Sequence, residues 1–279
     1  MSPDGILLID KPAGVTSHDV VDEVRQRLGV RKVGHAGTLD PMATGLLVLG
    51  VGAATRLLRF LGDLDKEYEG TARLGVETDT LDADGRVVRE SEVRASREEV
   101  RAAAAELTGE IDQEPPAYSA VKVGGRKLYE AARRGESLRA PTRRVRIASF
   151  EITGFEPPDV SFRVICSSGT YVRVLLADLG SRLGCGAHLT RLVRTRTGHL
   201  RLAEAASPAD PGSPLPLEMA VAHLPRVDVG SEEAAAARHG RPLAPAGVAG
   251  RHAVFDPDGR LVGVYRDEGA RARPEVVLP

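Results

Sequence analysis

Among the residues able to do chemistry, one carboxylate stands out. Asp40 lies in "VGHAGTLDPMATGLLVLGVG", Val33 to Gly52, where glycines, a histidine and a proline frame a single acid before the chain turns into a leucine- and valine-rich run. Glycine and proline at this density specify a loop whose backbone a ligand can approach closely, and the apolar run after it supplies a buried strand that holds the loop at a sheet end. A carboxylate framed in this way can act as nucleophile or general base. It can also do no more than organise the loop as an Asx turn. Two residues elsewhere complement it in type: Tyr68 in "KEYEG", a ring with a hydroxyl tip, and Arg173 in "GTYVRV", a permanent cation able to pair with a carboxylate. Spacing alone leaves them as ordinary surface residues of a strand and a helix.

Other motifs carry less. "GVGAAT" from Gly50 has Thr55 where the third glycine of a dinucleotide fingerprint belongs, which argues against a Rossmann site. "TLDADG" from Thr80 imitates a calcium loop, yet Thr80 stands at the first ligand position and Ser91 where the bidentate Glu is needed, so a hairpin turn is the better reading. Cys166 and Cys185 are the only cysteines, too few for a disulfide framework and not spaced as zinc ligands, and are expected as reduced core residues. The net charge is −1, but its distribution is uneven. Lys122 to Arg146 holds nine Lys/Arg against Glu130 and Glu136, a net +7 over 25 residues, and Arg182 to Arg201 holds five arginines, two histidines and no acid. With Tyr129 and Tyr171 nearby for stacking, this is the pattern of a face that holds a nucleic-acid backbone. A solvated helix face is the plainer alternative for either segment alone.

These residues need elements to position them. A chain of 279 residues, 42% hydrophobic and 28% charged, suffices for a large domain plus a small one and reads as a soluble globular protein. No apolar run approaches the ~20 residues of a membrane span, and the N-terminus lacks a signal-peptide pattern, so a cytoplasmic location is expected. Strands are predicted at Gly5 to Asp10, Leu46 to Val51, "KEYEGTARL", Arg144 to Glu156 and Val160 to Ser167. Helices are predicted at "TSHDVVDEVRQRLG", at "SREEVRAAAAELTG" with Ser96 and Glu99 as a capping box, and at "YVRVLLADLGSRLG". "SPADPGSPLP" breaks regular structure and is expected to begin a linker, after which "HAVFDPDGRLVGVY" reads as a hairpin within a small β-rich module.

Taken together, "LLIDKPAGVTSHDVV", "KVGHAGTLDPMATGLLVLGVGAATRL", "KEYEGTARLGVETDTLDADG", "PPAYSAVKVGGRKLYEAARRG" and "CSSGTYVRVLLADLGSRLGCGAHLTRLVRTRTG" closely resemble the tRNA pseudouridine synthase B (TruB) family, in family order from Gly5 to Gly198. Met42, where the family usually has Leu, is a departure that keeps the volume. The resemblance implies an α+β pseudouridine synthase fold, a mixed, mainly antiparallel sheet flanked by helices. It places the catalytic domain at 1–224 with a basic RNA-contacting insertion at about 115–146, and a β-rich PUA-like RNA-binding domain at 225–279. It implies isomerisation of uridine 55 in the T loop of tRNA to pseudouridine, with no cofactor and no metal. By matching motif positions, Asp40 would be the nucleophile, Arg173 its ion-pair partner and Tyr68 the residue stacking on the base near the C5 proton. Tyr171 and Leu192 would line the pocket and His35 would face the RNA the base has left. Lys66, Lys11 and Asp82 match motif positions with structural or RNA-contacting roles. The implied partner is the T arm of tRNA, with no membrane and no obligatory protein partner, and the protein acting as a monomer. Base flipping, at a cost of a few kcal/mol, would account for the basic segments. The guanidinium of Arg173 would oppose protonation of a desolvated Asp40. Two other readings stay open: a non-catalytic tRNA-binding or tRNA-folding protein on the same scaffold, and a guide-RNA-dependent sister enzyme.

Overall fold

The computed structural model describes residues 4–278 apart from 120, 135, 137 and 139, and gives the backbone alone for Lys122, Lys127, Ala132 and Arg133. The first apolar run forms strand β1 (Gly5–Lys11) and leads into helix α1 (Ser17–Leu28). That helix begins where predicted, because Thr16 Oγ1 accepts from the Asp19 N–H (3.1 Å) while Asp19 Oδ2 accepts from the Thr16 N–H (2.7 Å), and it stops at Gly29 in the left-handed region. Strands β2 (Val33–His35) and β3 (Thr44–Val51) flank the Asp40 loop, and a short helix α2 (Leu58–Gly62) precedes β4 (Lys66–Leu74). A hairpin of β5 (Val76–Thr78) and β6 (Val87–Glu90) follows, then α3 (Arg97–Glu106) and β7 (Gly109–Gln113). The basic segment contains a small hairpin, β8 (Lys122–Val123) and β9 (Arg126–Lys127), with helix α4 (Leu128–Arg133). Beyond it come β10 (Arg143–Glu156), β11 (Asp159–Cys166), α5 (Val172–Arg182), β12 (Ala187–Thr197) and β13 (Leu200–Arg201). The C-terminal module consists of β14 (Arg226–Asp228), α6 (Ser231–Arg238), β15 (Arg251–Phe255), β16 (Leu261–Glu268) and β17 (Arg271–Val277).

The large sheet runs β1-β3-β12-β4-β11-β10-β7, with β2 added to β3 and β13 to β12. Only β3 and β12 pair in parallel within it, so the sheet is mixed and mainly antiparallel as expected. β4 sits at its centre and buries Lys66, Tyr68, Gly70, Ala72 and Leu74 on one face, the period-2 alternation of the sequence made physical. Helices α3 and α5 cover that face through Val100, Leu107, Leu175, Leu176 and Leu179. The C-terminal module packs its own small sheet against the large one through a shared cluster that includes Phe60, Leu61, Val221, Phe255 and Val264. Cys166 and Cys185 are free and buried.

The proline-rich stretch is not a free linker. It runs back along β1, where the Leu215 N–H donates to the Ile6 carbonyl (2.7 Å) and the Ile6 N–H to the Leu215 carbonyl (3.0 Å). β1 is the edge of the sheet, and this strap satisfies backbone groups that an open edge would leave exposed.

Candidate active site

A cavity of about 250 Å³ opens where the Asp40 loop, the start of β4, the loop before α5 and the middle of β12 converge. It is smaller than the ~300–1,000 Å³ of pockets that enclose drug-sized ligands, a size suited to one base. Asp40, Lys66, Tyr68, Tyr171, Arg173 and Leu192 all line it. Six residues spread over more than 150 positions of sequence are thus brought to one place.

The Asp40 loop is held by neighbours that leave its carboxylate unencumbered. Lys11, fully buried, donates from Nζ to the carbonyls of Val15 (2.7 Å), Pro12 (2.9 Å) and Pro41 (3.2 Å). Ser17 Oγ accepts from the Leu39 N–H (2.9 Å) and donates to the Leu39 carbonyl (3.1 Å). Gly45 follows with φ +96°, and a Cβ there would stand 2.5 Å from the Arg194 carbonyl, so only glycine fits. Lys11 therefore acts on the loop backbone and not in the cavity.

Arg173 is 5% exposed, no helix-surface arginine, because the first turn of α5 faces the sheet. Its Nε lies 3.6 Å from Asp40 Oδ2, but its closer carboxylate is Asp82, whose Oδ2 is 3.1 Å from Nη1. Two carbonyls, Tyr118 (2.6 Å) and Thr80 (3.3 Å), accept from its terminal nitrogens, while the buried Nε that faces Asp40 makes no hydrogen bond among the described residues. Asp82 reaches this position because Leu81 takes φ +65° and the Leu81 carbonyl accepts from the Leu189 N–H (3.0 Å) of β12. The "TLDADG" turn is thus a hairpin connection that also delivers a buried carboxylate.

These charges set the proton affinities. Burial pushes the Asp40 carboxyl above the ordinary carboxylate value, Arg173 pulls it back, and the Asp82 carboxylate pushes it up again. The guanidinium opposes burial as expected but, shared with Asp82, does not cancel it. Burial raises the Tyr68 phenol, which stays protonated at neutral pH. Burial and then Arg194 lower the Lys66 ammonium to about 8, while its Nζ donates to the Gly62 carbonyl. Burial raises the neighbouring Cys166 thiol to about 11.

His35 lies in β2 and is not among the residues lining the cavity; burial, followed by Arg194 and His18, lowers its imidazole. The second basic segment needs correction. Arg194 is buried on the Tyr68 face of β12, where it lines the cavity, and the bulge after it turns Arg196 to the opposite face, where it pairs with Glu67 (3.3 Å), while Arg191 and Arg201 stay exposed. In the first segment, positions 135, 137 and 139 and the side chains of Lys122, Lys127 and Arg133 lie outside the described residues. Three of its described arginines meet acids: Arg126 with Glu136 (2.7 Å), Arg144 with Asp112 (3.0 Å) and Arg146 with Asp65 (2.7 Å). Sequence reasoning also passed over Gln113, which clasps the Tyr171 backbone by accepting from its N–H (3.0 Å). Among the described residues no cluster of three or more His, Cys, Asp or Glu could hold a metal ion, and no helix is long and apolar enough to cross a membrane.

Known proteins similar to this chain fall in one group. Residues 25–172 match the model of the TruB family pseudouridylate synthase N-terminal domain, and residues 224–279 match that of the tRNA pseudouridine synthase II C-terminal domain. A tRNA pseudouridine synthase B from Mycobacterium sp. (strain KMS) is 48% identical over 98% of this chain and 96% of its own length. One from Aromatoleum aromaticum is 46% identical over 95% and 89%. Among solved structures, a chain of a Cbf5-Nop10-Gar1 complex superposes with a TM-score of 0.76 at 28% identity, covering 99% of this chain and 85% of that one. With a family model spanning more than half its length and relatives of this similarity along nearly all of it, the chain belongs to the TruB family of pseudouridine synthases.

Proposed function

We propose that this protein isomerises uridine 55 in the T loop of tRNA to pseudouridine, with the base flipped into the cavity and Asp40 as nucleophile. The observation that carries the reading is the Asp40 carboxylate, 38% exposed at the mouth of a base-sized cavity and 3.6 Å from the buried Arg173 guanidinium. The relatives named tRNA pseudouridine synthase B supply the substrate class.

The net reaction breaks the N1–C1′ bond, forms C5–C1′, releases the C5 proton to solvent and leaves N1 protonated, so no redox partner or energy source enters the balance. Ionised Asp40 is the attacking group, and Arg173 stabilises its charge before attack. Tyr68, kept as a neutral phenol, stacks on the base and donates a hydrogen bond near the departing C5 proton rather than removing that proton as a phenolate. Tyr171 and Leu192 close the sides, and His35 faces the RNA strand beside the cavity. Lys66 holds the cavity rim through Gly62, and Asp82 shares the Arg173 charge. Residues 1–224 form the catalytic domain, with RNA contacts from about 115–146, and 225–279 form a PUA-like RNA-binding domain. The protein acts in the cytoplasm as a monomer, without an obligatory protein partner. Relatives matched over nearly their whole length support action as a single chain.

The test is tritium release from C5-labelled uridine in a T-arm hairpin. The purified wild type is expected to release it, and Asp40→Asn is expected to bind the hairpin while losing turnover by more than about 10⁴-fold. Retained turnover in Asp40→Asn would remove the aspartate from its role. No turnover by the wild type on the bare hairpin would point to dependence on a guide RNA or partner.

A further inference from the structure

Arg194 is a guanidinium that the reaction as described does not use. It is 1% exposed, heads the largest fully buried side chains of the described residues, and forms no ion pair with a carboxylate among them. A buried charge without a counter-charge persists only when its donors are met elsewhere. Its Nε donates to the Leu46 carbonyl (2.7 Å) and Nη2 to the Gly37 carbonyl (3.1 Å), so one side chain grips the Asp40 loop on both sides of Asp40. Arg194 also stands directly opposite Tyr68 in the β12–β4 pairing, both side chains line the cavity, and the guanidinium lies close enough to the Tyr68 phenol to act on its charge. The bulge between Arg194 and Arg196 follows immediately.

The chemistry of that juxtaposition matters. A guanidinium has only donors, so a phenolic oxygen facing it can only accept, and the single proton of that hydroxyl is directed elsewhere. The open side is the cavity that Tyr68 and Asp40 line together. We propose that Arg194 is a positioning residue for the isomerisation, clamping the Asp40 loop at Gly37 and Leu46 and turning the Tyr68 hydroxyl proton into the cavity. This rests on the reading of Asp40 and Tyr68 given above. The position of its charge agrees, since Arg194 is also among the causes that lower Lys66 and His35 and so keep further cations from forming around the cavity.

The test is single-turnover kinetics on a T-arm hairpin with Arg194→Met, Arg194→Lys, Tyr68→Phe and the double variants, each checked by thermal unfolding and hairpin affinity. Arg194→Met is expected to slow the chemical step about 100-fold with unchanged affinity, the scale of losing one preorganised donor. In the Tyr68→Phe background the same change is expected to cost less than about 10-fold, because the hydroxyl it orients is gone. Equal losses in both backgrounds, or a loss confined to affinity, would overturn the role of Arg194 alone. Wild-type inactivity on the hairpin would overturn the functional reading and this proposal together. If Arg194→Met does not fold, Arg194→Lys, which keeps the charge but cannot span two carbonyls and a hydroxyl, reads the same coupling.

Discussion

Asp40 bears a cost that its neighbours do not remove. Its carboxyl is raised by burial, so folding favours the protonated form. For a group whose folded affinity for protons exceeds its unfolded one, the stabilising contribution is complete below the unfolded value and is lost as pH rises through the folded value. At neutral pH the ionised group therefore opposes folding. Asp40→Asn is expected to raise the melting temperature at pH 7, with the difference vanishing below about pH 4, where the wild-type carboxyl is protonated in both states. A lower melting temperature at pH 7 would show that Arg173 overcompensates burial. The catalytic rate should fall on the acid side at a pH above the ordinary carboxylate range, checked by the single-turnover profile. At this scale the sequence allowed candidate residues to be named only by resemblance. Nothing in "TLDADG" shows that Leu81 will turn left-handed and deliver Asp82 to Arg173, and nothing in "RLVRTRTG" shows which face of the strand turns inward, because register shifts at Leu189/Arg191 and Arg194/Arg196 set its pairing with β4. Such facts are properties of strand pairing between distant segments.

The elements were far more readable than their pairing. α1 and α3 carry complete capping boxes in contiguous sequence, and β4 alternates with period 2, so local chemistry specifies them. The return of the proline-rich strap onto β1, and the parallel contact of β3 with β12, depend on which edges need partners and could not be read locally. The loop between β2 and β3 shows how pairing transmits to the site. Gly45 pairs with Arg194 at that parallel contact, where a Cβ would stand 2.5 Å from the Arg194 carbonyl and 2.9 Å from its nitrogen. Gly45→Ala adds a Cβ to a residue with positive φ and forces the Arg194 carbonyl away, and is expected to destabilise the fold by about 1–3 kcal/mol. Because the same displacement moves Asp40, turnover should fall more steeply than hairpin affinity. Denaturant unfolding and single-turnover rates on one preparation check both, and an unchanged rate would separate β3 register from catalysis.

Across the whole molecule, the segmental charge foreseen from composition proves to be partly neutralised within the protein. Arg126, Arg144 and Arg146 each hold an acid of their own chain in the absence of RNA, and these exposed pairs are worth no more than about 1 kcal/mol each. Phosphate binding must therefore exchange an internal carboxylate for an RNA oxygen, at small cost per pair. Hairpin affinity should still fall steeply with salt, by about 10³-fold or more between 50 and 200 mM if six or more phosphates are contacted, since counterion release scales with their number. Asp112→Asn removes the nearer of the two carboxylates beside Arg144, leaving Glu110 at 3.8 Å, without touching the cavity. It is expected to tighten hairpin binding a few fold at low salt, about the worth of one surface pair, and to leave the single-turnover rate at saturation unchanged. Filter binding across a salt series, with the rate measured alongside, decides it. Affinity that is unchanged at every salt concentration would mean that Arg144 does not reach the RNA, and that the basic face is narrower than its composition suggests.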